Sequence, residues 1–181
     1  MQKIDYSAIN LLILDVDGVL TDGRIFMTTS GEEMKVFNVR DGSGIKYWAR
    51  AGKKLAIITG RGSPVVTYRA NELGVDEVRL NCKNKLPVYH EVLEKLGFSP
   101  SETAVMGDDL TDLAMMRASA LAACPCDATN EVLSTVDLVM SKPGGGGCVR
   151  ELIETILKRS DLWGKIMARY EPDDVSATHE T

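Results

Sequence analysis

Three aspartates fall within eight positions of the stretch LLILDVDGVLTDG (residues 11–23): Asp15, Asp17 and Asp22. Crowded carboxylates repel one another unless a counter-charge sits among them, and Mg²⁺, which takes oxygen ligands, supplies one. Further along, polar residues again follow apolar runs: Thr59 and Arg61 in ITGR, Lys85 in NKL, Asp108 and Asp109 in MGDDLTD. Together these residue types can handle a phosphoryl group. Asp15 can attack phosphorus, giving an aspartyl-phosphate that water then hydrolyses. Asp17 can protonate the leaving oxygen and afterwards deprotonate that water. Thr59 and Lys85 can offer a hydrogen bond and a positive charge to the equatorial oxygens. A Mg²⁺ held by Asp15 and Asp108 would offset the repulsion and bind the phosphoryl group as well.

Residues so far apart act together only if regular elements bring them together. Apolar runs at 11–14, 54–59, 76–80, 103–107, 120–124 and 137–140 predict strands. Between them, amphipathic stretches at 42–52, 63–74, 85–97, 110–119 and 129–136 predict helices, several closed by glycine. A last helix is predicted from CVRELIETILKR (148–159), followed by a polar tail, about 171–181, expected to be disordered. Such alternation specifies an α/β fold, Rossmann-like, with a mostly parallel sheet and helices on both faces. Nearly continuous apolar strands suit a sheet covered on both sides. Ligands of open α/β sheets bind beyond the carboxyl ends of the strands, where Asp15, Thr59 and Asp108 fall. The segment 23–42 breaks the rhythm and predicts a β-hairpin inserted after the first strand. Residues 1–181 read as a single domain carrying that one decoration.

DVDGVLTDG, ITGR, NKL and GDDLTD, in that order, resemble the four motifs of the haloacid dehalogenase-like (HAD) phosphatases. The resemblance implies Asp15 as nucleophile and Asp17 as acid/base, with Thr59 and Lys85 on the phosphoryl group. It implies Mg²⁺ on the Asp15 carboxylate, the Asp17 backbone carbonyl and Asp108, with Asp109 and Asp112 supporting that shell. Neither intervening segment, 17–59 nor 85–108, has room for a cap domain. A neighbouring subunit is therefore expected to close the site against water.

The segments GEEMKVFNVRDGSGIK and GGGGCVRE are similar to those of the 3-deoxy-D-manno-octulosonate 8-phosphate (KDO 8-phosphate) phosphatase family. Membership would imply a capless homotetramer of lipopolysaccharide-sugar biosynthesis, in which packed hairpins and a neighbour's elements complete each site. By that analogy Asn38, Arg40, Asp41, Lys46, Arg61, Arg69 and Arg150 join Asp17 and Lys85 around a sugar-acid phosphate. Arginine's planar fork suits the carboxylate of such an acid. Phosphatases of nine-carbon, sialic-type acid 9-phosphates tend to carry glutamate where this chain has Arg61, which favours the eight-carbon substrate. Lys46 departs from the arginine frequent at its position in the eight-carbon branch. A non-catalytic tetramerisation module is the alternative of another class, and the complete set of Asp15, Asp17, Thr59, Lys85 and Asp108 argues against it.

The remaining features narrow the field. A net charge of −5 argues against nucleic-acid or anionic-membrane surfaces. MQKIDYSAIN lacks the apolar run of a signal peptide, and no later run approaches membrane-spanning length. Cys82, Cys124, Cys126 and Cys148 fit neither zinc nor redox spacing and read as reduced thiols of a cytoplasmic protein. Trp48 reads as core or interface filler, and the methionines of DLAMMRAS read as core packing. KPGGGG (142–147) reads either as a flexible linker or as backbone that closely approaches a ligand or another subunit, with Arg150 directed to the site. No G-K-[ST] follows it, so it is not a P-loop.

Overall fold

The computed structural model describes residues 4–171, so the predicted tail beyond Glu171 lies outside the described residues. Six strands form one parallel sheet: β1 (Leu11–Leu14), β4 (Lys54–Ile58), β5 (Glu77–Arg79), β6 (Thr103–Met106), β7 (Leu121–Cys124) and β8 (Leu138–Val139). Their spatial order is β5-β4-β1-β6-β7-β8. The chain therefore leaves β1 toward one edge and returns across it to the other. That reversal opens a crevice between the carboxyl ends of β1 and β6.

Alternating side chains assign each strand to two cores. Leu12, Leu14, Leu55, Ile57, Ala104 and Met106 pack with α1 (Val39–Arg50), α2 (Pro64–Leu73) and α6 (Cys148–Arg159). Leu11, Ile13, Ala56, Ile58 and Val105 pack with α3 (Lys85–Leu96), α4 (Leu113–Ala118) and α5 (Asn130–Leu133). Trp48 is fully buried, and Met115 and Met116 sit in the second core, as the sequence predicts. A short α7 (Trp163–Met167) follows α6, and Trp163 meets Tyr47 of α1 edge-on at 5.9 Å between centroids. No helix among the described residues is long and apolar enough to cross a membrane.

Several predicted boundaries move, two of them for a clear local reason. The hairpin is real but small, pairing β2 (Phe26–Met27) with β3 (Glu33–Met34). Its predicted last residues belong to α1 instead, because Asn38 caps that helix and accepts the Arg40 amide at 2.8 Å. The helix predicted over 110–119 opens as a 3₁₀ turn at Leu110–Asp112, where Asp109 accepts the Leu110 amide, and only then becomes α4. Asp22 accepts the Arg24 amide at 3.1 Å and shapes the loop before the hairpin.

The glycine run is not a free linker, because it packs closely against another loop of the chain. Gly145 donates to the Val19 carbonyl at 2.9 Å, and a Cβ on Gly144 would stand 2.0 Å from the Gly18 carbonyl oxygen. The run thus lies against the loop that follows the first aspartates. Asp127 and Glu151 fix it by accepting the amides of Gly144 and of Ser141 and Lys142.

Asp41, predicted to meet substrate, is 1% exposed and accepts the Gly147 and Arg150 amides at 3.2 and 2.8 Å. It caps α6 from α1 and so joins the two helices that lie closest to each other. Truncation should expose that role: Asp41→Ala is expected to lower unfolding free energy by about 1–3 kcal/mol in a urea titration. Asp41→Asn, which keeps one acceptor, should lose less. Unchanged stability in both variants would remove the cap.

Candidate active site

The strand ends deliver the first residues. Asp15 follows β1 and donates its amide to the Met106 carbonyl at 3.0 Å, which holds the ends of β1 and β6 level. Thr59 follows β4, and Asp108 lies two residues past β6. Lys85 opens α3, and its ammonium reaches Asp15 Oδ1 at 2.8 Å and Asp112 Oδ1 at 2.6 Å. Asp112 in turn accepts the Asp108 and Asp109 amides through Oδ2, at 3.1 and 3.3 Å. Asp15, Thr59, Lys85 and Asp112 are all buried.

One carboxylate oxygen each from Asp15, Asp108 and Asp112 lie within 4.8 Å of one another. At an effective dielectric near 20, two charges that far apart repel by roughly 3–4 kcal/mol. Three ionised acids against one lysine leave an excess of two negative charges. The strain is visible in proton affinity. Burial pushes Asp15 up to about 6, Asp112 adds to the rise, and Lys85 opposes it. Asp108 rises to about 7 through burial and then the charges of Asp15, Asp112 and Asp109. Burial pulls Lys85 down, but Asp15 and Asp112 outweigh it and hold the ammonium above its usual range.

These residues fit a divalent cation. Asp108 Oδ1 is buried without a hydrogen-bond partner, an acceptor left over for an ion. Gly18, at φ +89°, leaves room that a Cβ would take, since that atom would stand 2.0 Å from Asp108 Oδ2. All the donors are hard oxygens, the set Mg²⁺ prefers. Asp15 and Asp108 would hold the ion, with Asp112 beside it as the partner of Lys85. Asp109 is exposed and spends its carboxylate on the 3₁₀ turn.

The Asp17 carboxylate turns away from that cluster and pairs with Lys35 through Oδ1. Its Oδ2 stands 3.6 Å from Arg61 Nε, an ion pair but no hydrogen bond. Arg61 also donates to Glu33 at 2.9 Å. Sequence reasoning did not single out Glu33 or Lys35. The available signal was their i,i+2 spacing, which puts both side chains on one face of an extended segment, Glu33 in β3 and Lys35 just past its end.

The other predicted substrate residues have different occupations in this protomer. Asn38 caps α1 and donates to the Gly145 carbonyl at 3.0 Å. Lys46 donates to the Glu72 carbonyl at 2.7 Å, in the last turn of α2. Arg69 pairs with Glu72 at 2.7 Å. Arg150 pairs with Glu154 at 2.6 Å and lies 4.4 Å from the Tyr47 ring centroid, so its side-chain contacts are within α6 and to α1, and not to Asp15, Asp108 or Asp112. Arg40 is exposed. A cleft of about 1450 Å³ opens at the amino ends of the strands, between Ile4, Pro100 and Asp137, and holds none of the predicted site residues.

A nucleophile-competent aspartate, a second acid two residues on, a buried lysine and an acidic metal nest at strand ends define a HAD-like hydrolase. A family model for haloacid dehalogenase-like hydrolases matches residues 43–119. The KDO 8-phosphate phosphatase KdsC of Escherichia coli K12 is 43% identical over 149 residues, 82% of this chain and 79% of that relative. The crystal structure of the KDO 8-phosphate phosphatase from Yersinia pestis superposes with a TM-score of 0.86 at 41% identity, covering 88% of this chain and 86% of that one. The phosphatase of that name from Moraxella catarrhalis, solved with magnesium, phosphate and KDO, gives 0.89 at 36% identity, covering 92% and 95%. The chain belongs to the KDO 8-phosphate phosphatase family of HAD-like hydrolases.

The raised acids set a pH dependence. An unfolded aspartate titrates near 3.9, so the metal-free fold binds more protons than the unfolded chain up to about 7. Metal-free stability therefore falls as pH rises from about 4 to 7, and a cation that binds the ionised acids restores it. The Tm gain on adding Mg²⁺ should be larger at pH 8 than at pH 5, and Asp108→Asn should erase most of the difference. Equal gains at both pH values would count against the carboxylate nest as the metal site.

Proposed function

We infer that the chain is a Mg²⁺-dependent phosphomonoesterase that converts KDO 8-phosphate to KDO and inorganic phosphate. The observation that carries this reading is the buried lysine bridging Asp15 and Asp112 beside the unpartnered Asp108 oxygen. Magnesium with phosphate and KDO in the Moraxella relative supports the metal and the substrate class. Bound there, Mg²⁺ would neutralise the acids and draw negative charge from the phosphoryl oxygens.

The chain's own groups account for the rest of the reaction. The Asp15 carboxylate attacks phosphorus in line while Asp17 gives a proton to the departing sugar oxygen. Lys85 and Thr59 carry the equatorial charge. Asp17, now a carboxylate, takes a proton from the water that attacks the aspartyl-phosphate, and Asp15 is freed. Arg61 and Arg40 are the proposed cations for the sugar-acid carboxylate.

The working unit is proposed to be a cytoplasmic homotetramer. Four free thiols suit a reducing compartment. Ile25, Phe26, Met27, Met34 and Val36 stand 42–66% exposed on and around the hairpin, an apolar surface that neighbouring hairpins would cover. Without a cap domain, a neighbour would also exclude water from the site.

Three measurements test these statements. Phosphate release from KDO 8-phosphate should require Mg²⁺, and Asp15→Asn should lower kcat by roughly 10³-fold or more. Sustained turnover by purified Asp15→Asn would end the nucleophile assignment. A kcat/KM comparison with a nine-carbon acid 9-phosphate should favour the eight-carbon substrate, and equal values would remove the argument from Arg61. Light scattering should give the mass of four chains, whereas a fully active monomer would refute closure by a neighbour.

A further inference from the structure

The hairpin lacks an apolar anchor in the protomer. Phe26 is 42% exposed, Met27 62% and Met34 58%, so little hydrophobic burial fixes the two strands to the body of the protein. One hairpin side chain nevertheless goes deep. The Lys35 side chain is 1% exposed, and its ammonium meets Asp17 Oδ1 and, at 3.2 Å, Glu33. Glu33 accepts from Arg61 at 2.9 Å, and Arg61 Nε stands 3.6 Å from Asp17 Oδ2. The four charges close a ring of two cations and two anions in which each faces only opposite charges. A buried ammonium is costly unless paired. Its position here is therefore specified by the carboxylates around it.

The ring treats the two oxygens of Asp17 differently. Lys35 occupies Oδ1, while Oδ2 is buried with no hydrogen-bond partner. A carboxylate held by one oxygen cannot rotate freely, and the other oxygen, which faces Arg61 Nε at 3.6 Å, keeps its hydrogen-bonding capacity unspent. We propose that Lys35 is a positioning residue for the proton-transfer steps: by clasping Asp17 Oδ1 from the hairpin, it presents Oδ2 to the leaving oxygen and then to the attacking water. This rests on the phosphatase reading above and deepens it, since it gives the hairpin a part in the chemistry of its own subunit. Lys35 touches neither substrate nor metal in this arrangement and acts only through Asp17.

A loss of positioning differs from a loss of structure in which steps it slows. A sugar alkoxide needs a proton to leave, whereas p-nitrophenolate departs without one, and the attack of water needs a base for either substrate. Rapid-mixing kinetics of wild type, Lys35→Met and Lys35→Arg with Mg²⁺ separate these steps. With KDO 8-phosphate, Lys35→Met should slow the first turnover by about 10- to 100-fold, part of what acid–base catalysis contributes. With p-nitrophenyl phosphate, its first release of nitrophenolate should stay within about threefold of wild type, and a burst should precede slowed turnover. Lys35→Arg, which keeps the charge, should recover most of the first-turnover rate on the sugar phosphate.

A wild-type first-turnover rate in Lys35→Met on KDO 8-phosphate would overturn the proposal. Equal slowing of both first turnovers would overturn it too, because misplacement of Asp15 or collapse of the site slows both alike. If Lys35→Met fails to fold by circular dichroism, Lys35→Gln is read by the same criteria. Failure of the wild-type enzyme to hydrolyse KDO 8-phosphate would instead refute the substrate reading, and the p-nitrophenyl burst would still report on Asp17.

Discussion

The Lys85 ammonium between Asp15 and Asp112 is the interaction on which the catalytic edge depends. Without it, three acids would share a buried space with no positive partner from the chain. With it, Asp112 is locked against the Asp108 and Asp109 amides, and that contact fixes the turn carrying Asp108. The lysine thus orders an acid that is not its direct partner. It also leaves two negative charges unmatched, a surplus that one divalent cation balances in full and that a second lysine would only halve.

The crevice that holds this cluster follows from topology. Reversal of strand order at β1 and β6 separates the helices that follow them, and the loops after β1 and β6 face each other across the gap. The Gly18 turn lets the first loop pass directly over Asp108, and the glycine run after β8 lies against the same loop from behind. Asp41 then links that run to α1 by capping α6. A continuous set of contacts therefore runs from α1 through the Asp41 carboxylate to α6, and from the glycine run, backbone to backbone, to the loop after the first aspartates. Small residues are needed along it because backbone meets backbone.

The sheet, its helices and the cluster of carboxylates at its edge were legible in the sequence because their signals are local. Apolar runs define strands, and a polar residue after such a run lies at the sheet edge whatever else the chain does. Long-range partners were not legible. Asp41, Lys46 and Arg150 look like ligand-binding residues by type, yet their partners are the Gly147 amide, the Glu72 carbonyl and the Tyr47 ring, which no spacing rule reveals. Asn38 carried a readable helix-start signal, but the apolar run before it extended the hairpin prediction over the first turn of α1. Lys35 escaped for the opposite reason, since a lone lysine at the end of a short strand ordinarily reads as a solvated surface residue.

Burial of Lys35 changes what the hairpin is physically. One group of its side chains is charged and reaches Asp17 and Arg61, while another is apolar and faces outward. The charged contacts are directional and can fix an orientation, but they add little net stability because each ion must first be desolvated. The apolar contacts are the reverse: they stabilise in proportion to area and specify little geometry. An element seated in its own subunit by charge alone gains most of its rigidity when a second surface covers its apolar residues. Coverage of the hairpin from outside would then tighten the clasp on Asp17, and the precision of proton transfer would depend on assembly even if no residue of a neighbour touched the substrate.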